Sequence, residues 1–136
     1  MKIEDIVFDE NMEMYIFLPK LNKKVRLVLS DSLWAYEEKL SEEYKSKIVN
    51  FINNLPMWYN KAVESVIKYA KQIYAIEVEK KDLRLMNIFI LFEQSDDELY
   101  GLGFNTEFDI EHGCGLKILG SNFEIIKVGE ADVAFC

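Results

Sequence analysis

Residues 41–74 read SEEYKSKIVNFINNLPMWYNKAVESVIKYAKQIY, and the fold class turns on this stretch. Ser41 is a good helix N-cap, and Glu42 and Glu43 follow at the positive end of the helix dipole. Tyr44, Ile48, Phe51, Ile52 and Leu55 recur mostly at spacings of three and four. After Pro56 the pattern resumes as Tyr59, Ala62, Val63, Val66, Ile67, Ala70, Ile73 and Tyr74, with Trp58 at its edge. Lys61, Glu64, Lys68 and Lys71 fall on the other side, which makes the stripe a face to be buried. Proline is tolerated in the first turn of a helix and breaks an interior. The stretch therefore forms two helices, over 41–53 and 55–74, or one helix kinked near Pro56. Trp58, Tyr59 and Tyr74 stand at helical spacing and belong to a core rather than to a cofactor box.

Strands flank this helical middle. Residues 3–8, 14–18 and 25–29 are short runs rich in Val, Ile, Tyr and Phe, separated by the polar stretches Asp9-Glu10-Asn11 and 19–24. In the third run Lys24, Arg26 and Val28 alternate with Val25, Leu27 and Leu29, the period of a strand with one buried face. Asp31 and Ser32 are placed to cap a short helical turn carrying Leu33, Trp34 and Tyr36. Beyond the helices, residues 83–93 and 99–105 read as a hairpin around the polar turn 94–98. Residues 115–119 and 123–128 read as a second hairpin around Gly120-Ser121-Asn122. The expected order is β-β-β-α-α-β-β-β-β. Strands segregated from helices argue for an α+β fold, two layers deep, with an antiparallel sheet and the helices on one of its faces.

With 136 residues, 50% hydrophobic and 29% charged, the chain fits one domain, 1–136, with a packed core. Two prolines and six glycines exclude collagen-like and linker-rich classes. Two cysteines cannot make a disulfide framework, and a reduced, cytoplasmic setting is expected. The start MKIEDIVF turns acidic within four residues, unlike a signal peptide. Apolar runs such as 88–92 fall far short of the roughly 20 residues of a membrane span.

The net charge of −8 is uneven along the chain. Residues 1–92 carry 14 Lys/Arg and 14 Asp/Glu, whereas residues 93–136 carry 2 Lys and 10 Asp/Glu. Such a field repels nucleic acid and anionic lipid, which are not expected as partners, and attracts basic proteins or cations.

Residues 108–115, Phe-Asp-Ile-Glu-His-Gly-Cys-Gly, concentrate the only histidine, two carboxylates, one cysteine and two glycines. As a turn between hairpins, Asp109 hydrogen-bonds nearby backbone, Gly113 supplies a positive φ, and Gly115 admits a close backbone or large side chain. His112 then donates to a carbonyl or to Asp132. As a metal site, an extended segment would split Asp109 and Glu111 from His112 and Cys114. Zinc would need Cys136 as well, and calcium lacks its D-x-D-x-D-G loop. As a thiol enzyme, Cys114 and His112 lack a specified third group and oxyanion hole, and acidic surroundings raise a thiol's pKa. No phosphate-binding loop or hydrolase motif is present. No catalytic residue, metal ligand or cofactor is therefore assigned, and an enzyme is not the favoured class.

The segments Phe108-Asp109-Ile110-Glu111-His112-Gly113-Cys114-Gly115-Leu116 and Val128-Gly129-Glu130-Ala131-Asp132-Val133-Ala134-Phe135 resemble a family of small bacterial domains of unknown function. That family is marked by aromatic-Asp-x-Glu-His-Gly-x-Gly-Val and Val-Gly-x-x-Asp-x-Ala-aromatic. It usually has Trp, Leu and Val where Phe108, Cys114 and Leu116 stand, so a thiol role is not part of its pattern. The resemblance transfers no catalytic residue. It implies kinship with domains near toxin genes, some of them suspected immunity proteins.

The expectation is a non-catalytic module that binds a basic, toxin-like protein through Asp96, Asp97, Glu98, Glu107, Asp109, Glu111, His112, Glu130 and Asp132. The alternative is a metal-binding module or metal-dependent enzyme centred on Asp109, Glu111, His112 and Asp132. A further alternative treats the 108–116 corner as structural and places Trp34 or Trp58 in an oligomer interface.

Overall fold

The computed structural model describes residues 1–106 and 113–135. Among these residues the chain forms strands β1 (Glu13–Leu18) and β2 (Lys23–Leu29), helices α1 (Glu42–Asn53) and α2 (Leu55–Tyr74), and strands β3 (Leu83–Ile90), β4 (Leu99–Thr106), β5 (Cys114–Leu119) and β6 (Ile125–Gly129). The fold is α+β, with six strands in one open, mixed sheet of order β1-β2-β3-β4-β5-β6.

The two helices start and stop where their sequence signals lie. Ser41 Oγ accepts the Tyr44 N–H at 3.1 Å, and a single residue, Asn54, separates α1 from the Leu-Pro start of α2. Pro56 in the first turn costs α2 nothing, because that N–H has no intrahelical partner in any case.

Two expectations are corrected. Residues 3–8 are not a strand: Ile3–Asp5 is a short 3-10 turn closed by the Asp5 carboxylate, which accepts the Lys2 N–H at 2.8 Å. Glu4 and Asp5 in the middle of the run give the backbone a local alternative to sheet pairing. The sheet is also not purely antiparallel. β2 pairs in parallel with β3, Arg26 opposite Asn87 through Leu29 opposite Ile90. The chain leaves β2, runs through both helices and returns beside β2 in the same direction, as a crossover must. The observed order is thus β-β-α-α-β-β-β-β.

One face of the sheet and the helical stripes share a core. Val25, Leu27, Leu29, Ile88, Ile90, Leu102, Leu116 and Ile118 bury together with Ile48, Phe51, Trp58, Val63 and Val66. The Phe51 ring stacks between Trp58 at 4.7 Å and Tyr100 at 3.8 Å, tying α1, α2 and β4 together. The buried polar tips are satisfied: Trp58 Nε1 donates to the Phe51 carbonyl at 2.8 Å, and Tyr44 OH donates to the Phe92 carbonyl at 2.6 Å.

The other face carries Tyr15, Phe17, Arg26 and Asn87, and then glycines. Gly103 lies opposite Gly115, and Gly115 opposite Gly129. The 3-10 turn Ala131–Ala134 lies across this bare strip. A Cβ on Gly115 would sit 2.8 Å from the Ala131 carbonyl oxygen, so the backbone approach expected at Gly115 is present. Gly113 has φ +66°, also as expected. Phe135 then reaches the Phe89 ring at 5.5 Å.

Candidate functional site

The described residues of the expected acidic face fall into two groups. Asp96, Asp97 and Glu98 occupy the turn between β3 and β4. Glu130 and Asp132 are exposed on the C-terminal turn, and the Glu130 carbonyl lies over Gly115. Gly115 pairs with Gly103, four residues along β4 from Leu99 and so roughly 13 Å away. The two groups thus stand apart, one on the β3–β4 turn and one over the middle of the β4–β5 ladder. Glu107, Asp109, Glu111 and His112 lie outside the described residues.

What the structure adds is a set of carboxylates from the first half of the chain. The Glu93 carboxylate accepts the Trp34 N–H at 2.8 Å and the Ala35 N–H at 3.1 Å. It thereby caps the 3-10 turn Trp34–Tyr36 from 58 residues away. Gln94 Oε1 accepts the Ser41 N–H at 3.0 Å, and Gln94 Nε2 donates to Glu38 Oε2 at 3.2 Å. The Ser30 N–H donates to the Ile90 carbonyl at 3.2 Å. These bonds dock residues 30–41 onto the start of the β3–β4 turn. Asp31, Glu37, Glu38, Glu42 and Glu43, all exposed, thus share one end of the molecule with Asp96 and Asp97.

At that end stands Trp34, 75% exposed, although its backbone is held by Glu93. A solvent-facing indole on a backbone pinned by Glu93, beside many carboxylates, has the composition of a binding hot spot. The sequence marked the turn and its Trp34 but assigned the cap to Asp31 and Ser32, whereas the turn starts after Leu33 and Glu93 supplies the acceptor. Its charge tally treated residues 1–92 as neutral and so missed these acids. Trp58, by contrast, is fully buried and is available to no interface.

The docked turn makes a direct prediction. Glu93→Ala leaves two N–H groups without their charged acceptor and should cost about 2 kcal/mol. It should also raise the mobility of the Trp34 indole, read as lower fluorescence anisotropy. An unchanged melting point with unchanged anisotropy would show that Glu93 does not hold the turn.

Two tyrosines lie just beneath this end. Burial, with the Glu98 carboxylate hydrogen-bonded to the hydroxyl at 2.8 Å, pushes the Tyr100 phenol well above its usual range. Burial, with Glu93 nearby, does the same to Tyr44. Both stay protonated, and neither is placed to act as an acid or base.

Cys114 is fully buried opposite Phe104, on the core face of β5, where no substrate can reach it. Among the described residues, no group of three or more His, Cys, Asp or Glu is arranged to hold a metal ion. None of the described helices is long and apolar enough to cross a membrane. No family model, curated protein or solved structure matches the chain.

Proposed function

We propose that this protein is a non-catalytic, cytoplasmic binding module whose working surface is the acidic end around Trp34, and that its partner is a basic protein. The single observation behind this is the exposure of Trp34, 75%, on a turn pinned by Glu93 among carboxylates from two distant parts of the chain. The indole supplies the desolvated anchor, and the surrounding acids steer a cationic surface toward it. Two backbone hydrogen bonds to Glu93 hold the turn before binding, so little ordering cost remains to be met on association.

Within that class, an inhibitor of the immunity type fits best. A basic toxin that attacks nucleic acid presents a cationic cleft, and an acidic plug with one aromatic anchor occludes such a cleft. The resemblance of residues 108–116 and 128–135 to small bacterial domains near toxin genes supports the same class. The surface proposed here is built without the acids of the 107–112 segment.

The test is a calorimetric titration against the product of a neighbouring toxin-like gene. Trp34→Ala should weaken binding at least ~30-fold, the loss of a typical anchor. Raising salt from 50 to 200 mM should weaken it several-fold through slower association (on the order of a Debye length of screening). Reversing Asp31, Glu37, Asp96 and Asp97 to Lys should abolish binding with melting unchanged. Binding that survives both changes rejects the acidic end as the working surface.

A further inference from the structure

We propose that a second copy of this chain adds to the open edge of the sheet at β1, antiparallel, with Ile16 opposite Ile16 of the other copy, so that two six-stranded sheets become one. The surface is the β1 edge, whose Glu13 end shares a groove with Asp31 and Tyr36, and the inference does not rest on the function proposed above.

The sheet has two edges, and they differ. β6 is five residues long, its pairing with β5 shifts between Lys117 and Ile118, and α2 lies along it through the Lys61 Nζ bond to the Phe123 carbonyl at 2.8 Å. β1 has none of the devices that blunt a free edge: no proline, lysine or bulge interrupts Glu13–Leu18. It instead displays Tyr15 at 67% exposure and Phe17 at 56%. On the helix side of the same edge, a cleft of about 530 Å³ is lined by Met14, Leu18, Ile52, Leu55 and Pro56.

The backbone of β1 fixes which register is available. Both main-chain groups of Glu13 are taken by Asp9, its carbonyl by the Asp9 N–H at 2.9 Å and its N–H by the Asp9 carboxylate at 3.0 Å. Glu13 therefore points away from β2. Alternation along the strand points the N–H and C=O groups of Tyr15 and Phe17 the same way, into solvent. An added strand must bond to these two residues. With Ile16 facing Ile16, Tyr15 pairs with Phe17 of the second copy twice over, giving four strand hydrogen bonds. Sliding by one step to put Tyr15 opposite Tyr15 brings Phe17 against Glu13, whose groups are occupied. Sliding the other way brings Tyr15 against Pro19, which has no N–H to give.

The same register matches side chains on both faces. Tyr15 meets Phe17 on the outer face, where Arg26 and Lys24 lie across β2 from these rings. Met14 meets Leu18 and Ile16 meets Ile16 on the helix side. At each end Glu13 of one copy comes beside Lys20 of the other. Two rings more than half exposed bury on the order of 200 Å² or more per copy. With the strand backbone and the cleft added, the contact reaches the low end of specific interfaces, roughly 600 Å² per partner, so a dissociation constant of about micromolar is expected. Each copy carries a net charge of −8, so salt should strengthen this association, the reverse of its effect on a basic partner.

The experiment measures mass in solution by sedimentation across a concentration series. The expected result is conversion from 16.0 kDa to about twice that mass over ~1–100 μM. Phe17→Lys and Tyr15→Lys, both at exposed positions, should each weaken self-association at least ~30-fold with the melting point kept. The register is read by cross-linking in a Cys136→Ser background. Tyr15→Cys chains mixed with Phe17→Cys chains should form a disulfide readily, since directly paired residues lie about 5.5 Å apart. Either variant alone should not, its cysteines being diagonal at about 7–8 Å. A monomer up to ~1 mM, a dimer indifferent to both lysine variants, or cross-linking as efficient in the single variants as in the mixture each overturns the proposal.

Discussion

Replacing Gly101 by valine should unseat the C-terminal turn and cost about 3 kcal/mol. A Cβ at Gly101 would lie within contact distance of the Ala134 carbonyl oxygen, 2.6 Å from its carbonyl carbon and 2.9 Å from its Cα. All three atoms are backbone, so no rotamer change relieves the clash. Gly101 lies in the middle of β4, bonded on both sides, opposite Phe89 and Lys117. The strand cannot yield, and the turn must. Undocking exposes Ala134, which is fully buried, and breaks the Phe89–Phe135 contact. The melting temperature should fall by about 10 °C. The amides of Val133 and Phe135, bonded to Glu130 and Asp132 within the turn, should lose exchange protection while those of β3 and β4 keep it. Retained protection at Val133 and Phe135 would mean that the turn does not rest on this glycine.

Alkaline pH should destabilise the fold steeply above pH 10. Burial, and then Glu93 and Glu98, hold the phenols of Tyr44 and Tyr100 above their ordinary range in the folded chain. The sign follows from which state keeps its protons. The unfolded chain ionises these tyrosines near pH 10, whereas the folded chain retains both protons, so stability is complete below pH 10 and drains as pH rises beyond it. Two such groups remove about 3 kcal/mol by pH 11. Urea denaturation at pH 9, 10 and 11 checks this, and Tyr100→Phe should flatten the slope above pH 10 by about half. A midpoint that is level from pH 9 to 11 would show that the two hydroxyls ionise freely in the folded state.

Both helices were legible because their punctuation is local. Ser41 caps α1 through its own Tyr44 N–H, and Pro56 has one position in a helix where it costs nothing. The two C-terminal hairpins were legible for the same reason, through their polar turns. Residues 3–8 were misread because composition outvoted the Asp5 carboxylate, which bonds the Lys2 amide three residues back. Parallel pairing of β2 with β3 has no local signature, since it depends on where the chain lands after both helices. The Trp34 end was half legible. The turn and the acids of 96–98 could be read, but their union with Asp31, Glu37 and Glu38 depends on Glu93 and Gln94 reaching across more than fifty residues.

The parallel pairing also has a consequence during synthesis. The open side of β2, KKVRLVL, is covered only when Asn87–Ile90 has emerged, about sixty residues later. At roughly 5–20 residues per second, the nascent hairpin waits on the ribosome for roughly 3–12 s with a sticky flank uncovered. This is the interval in which a chaperone would shield it, and in which a slowed ribosome would leave it vulnerable to aggregation.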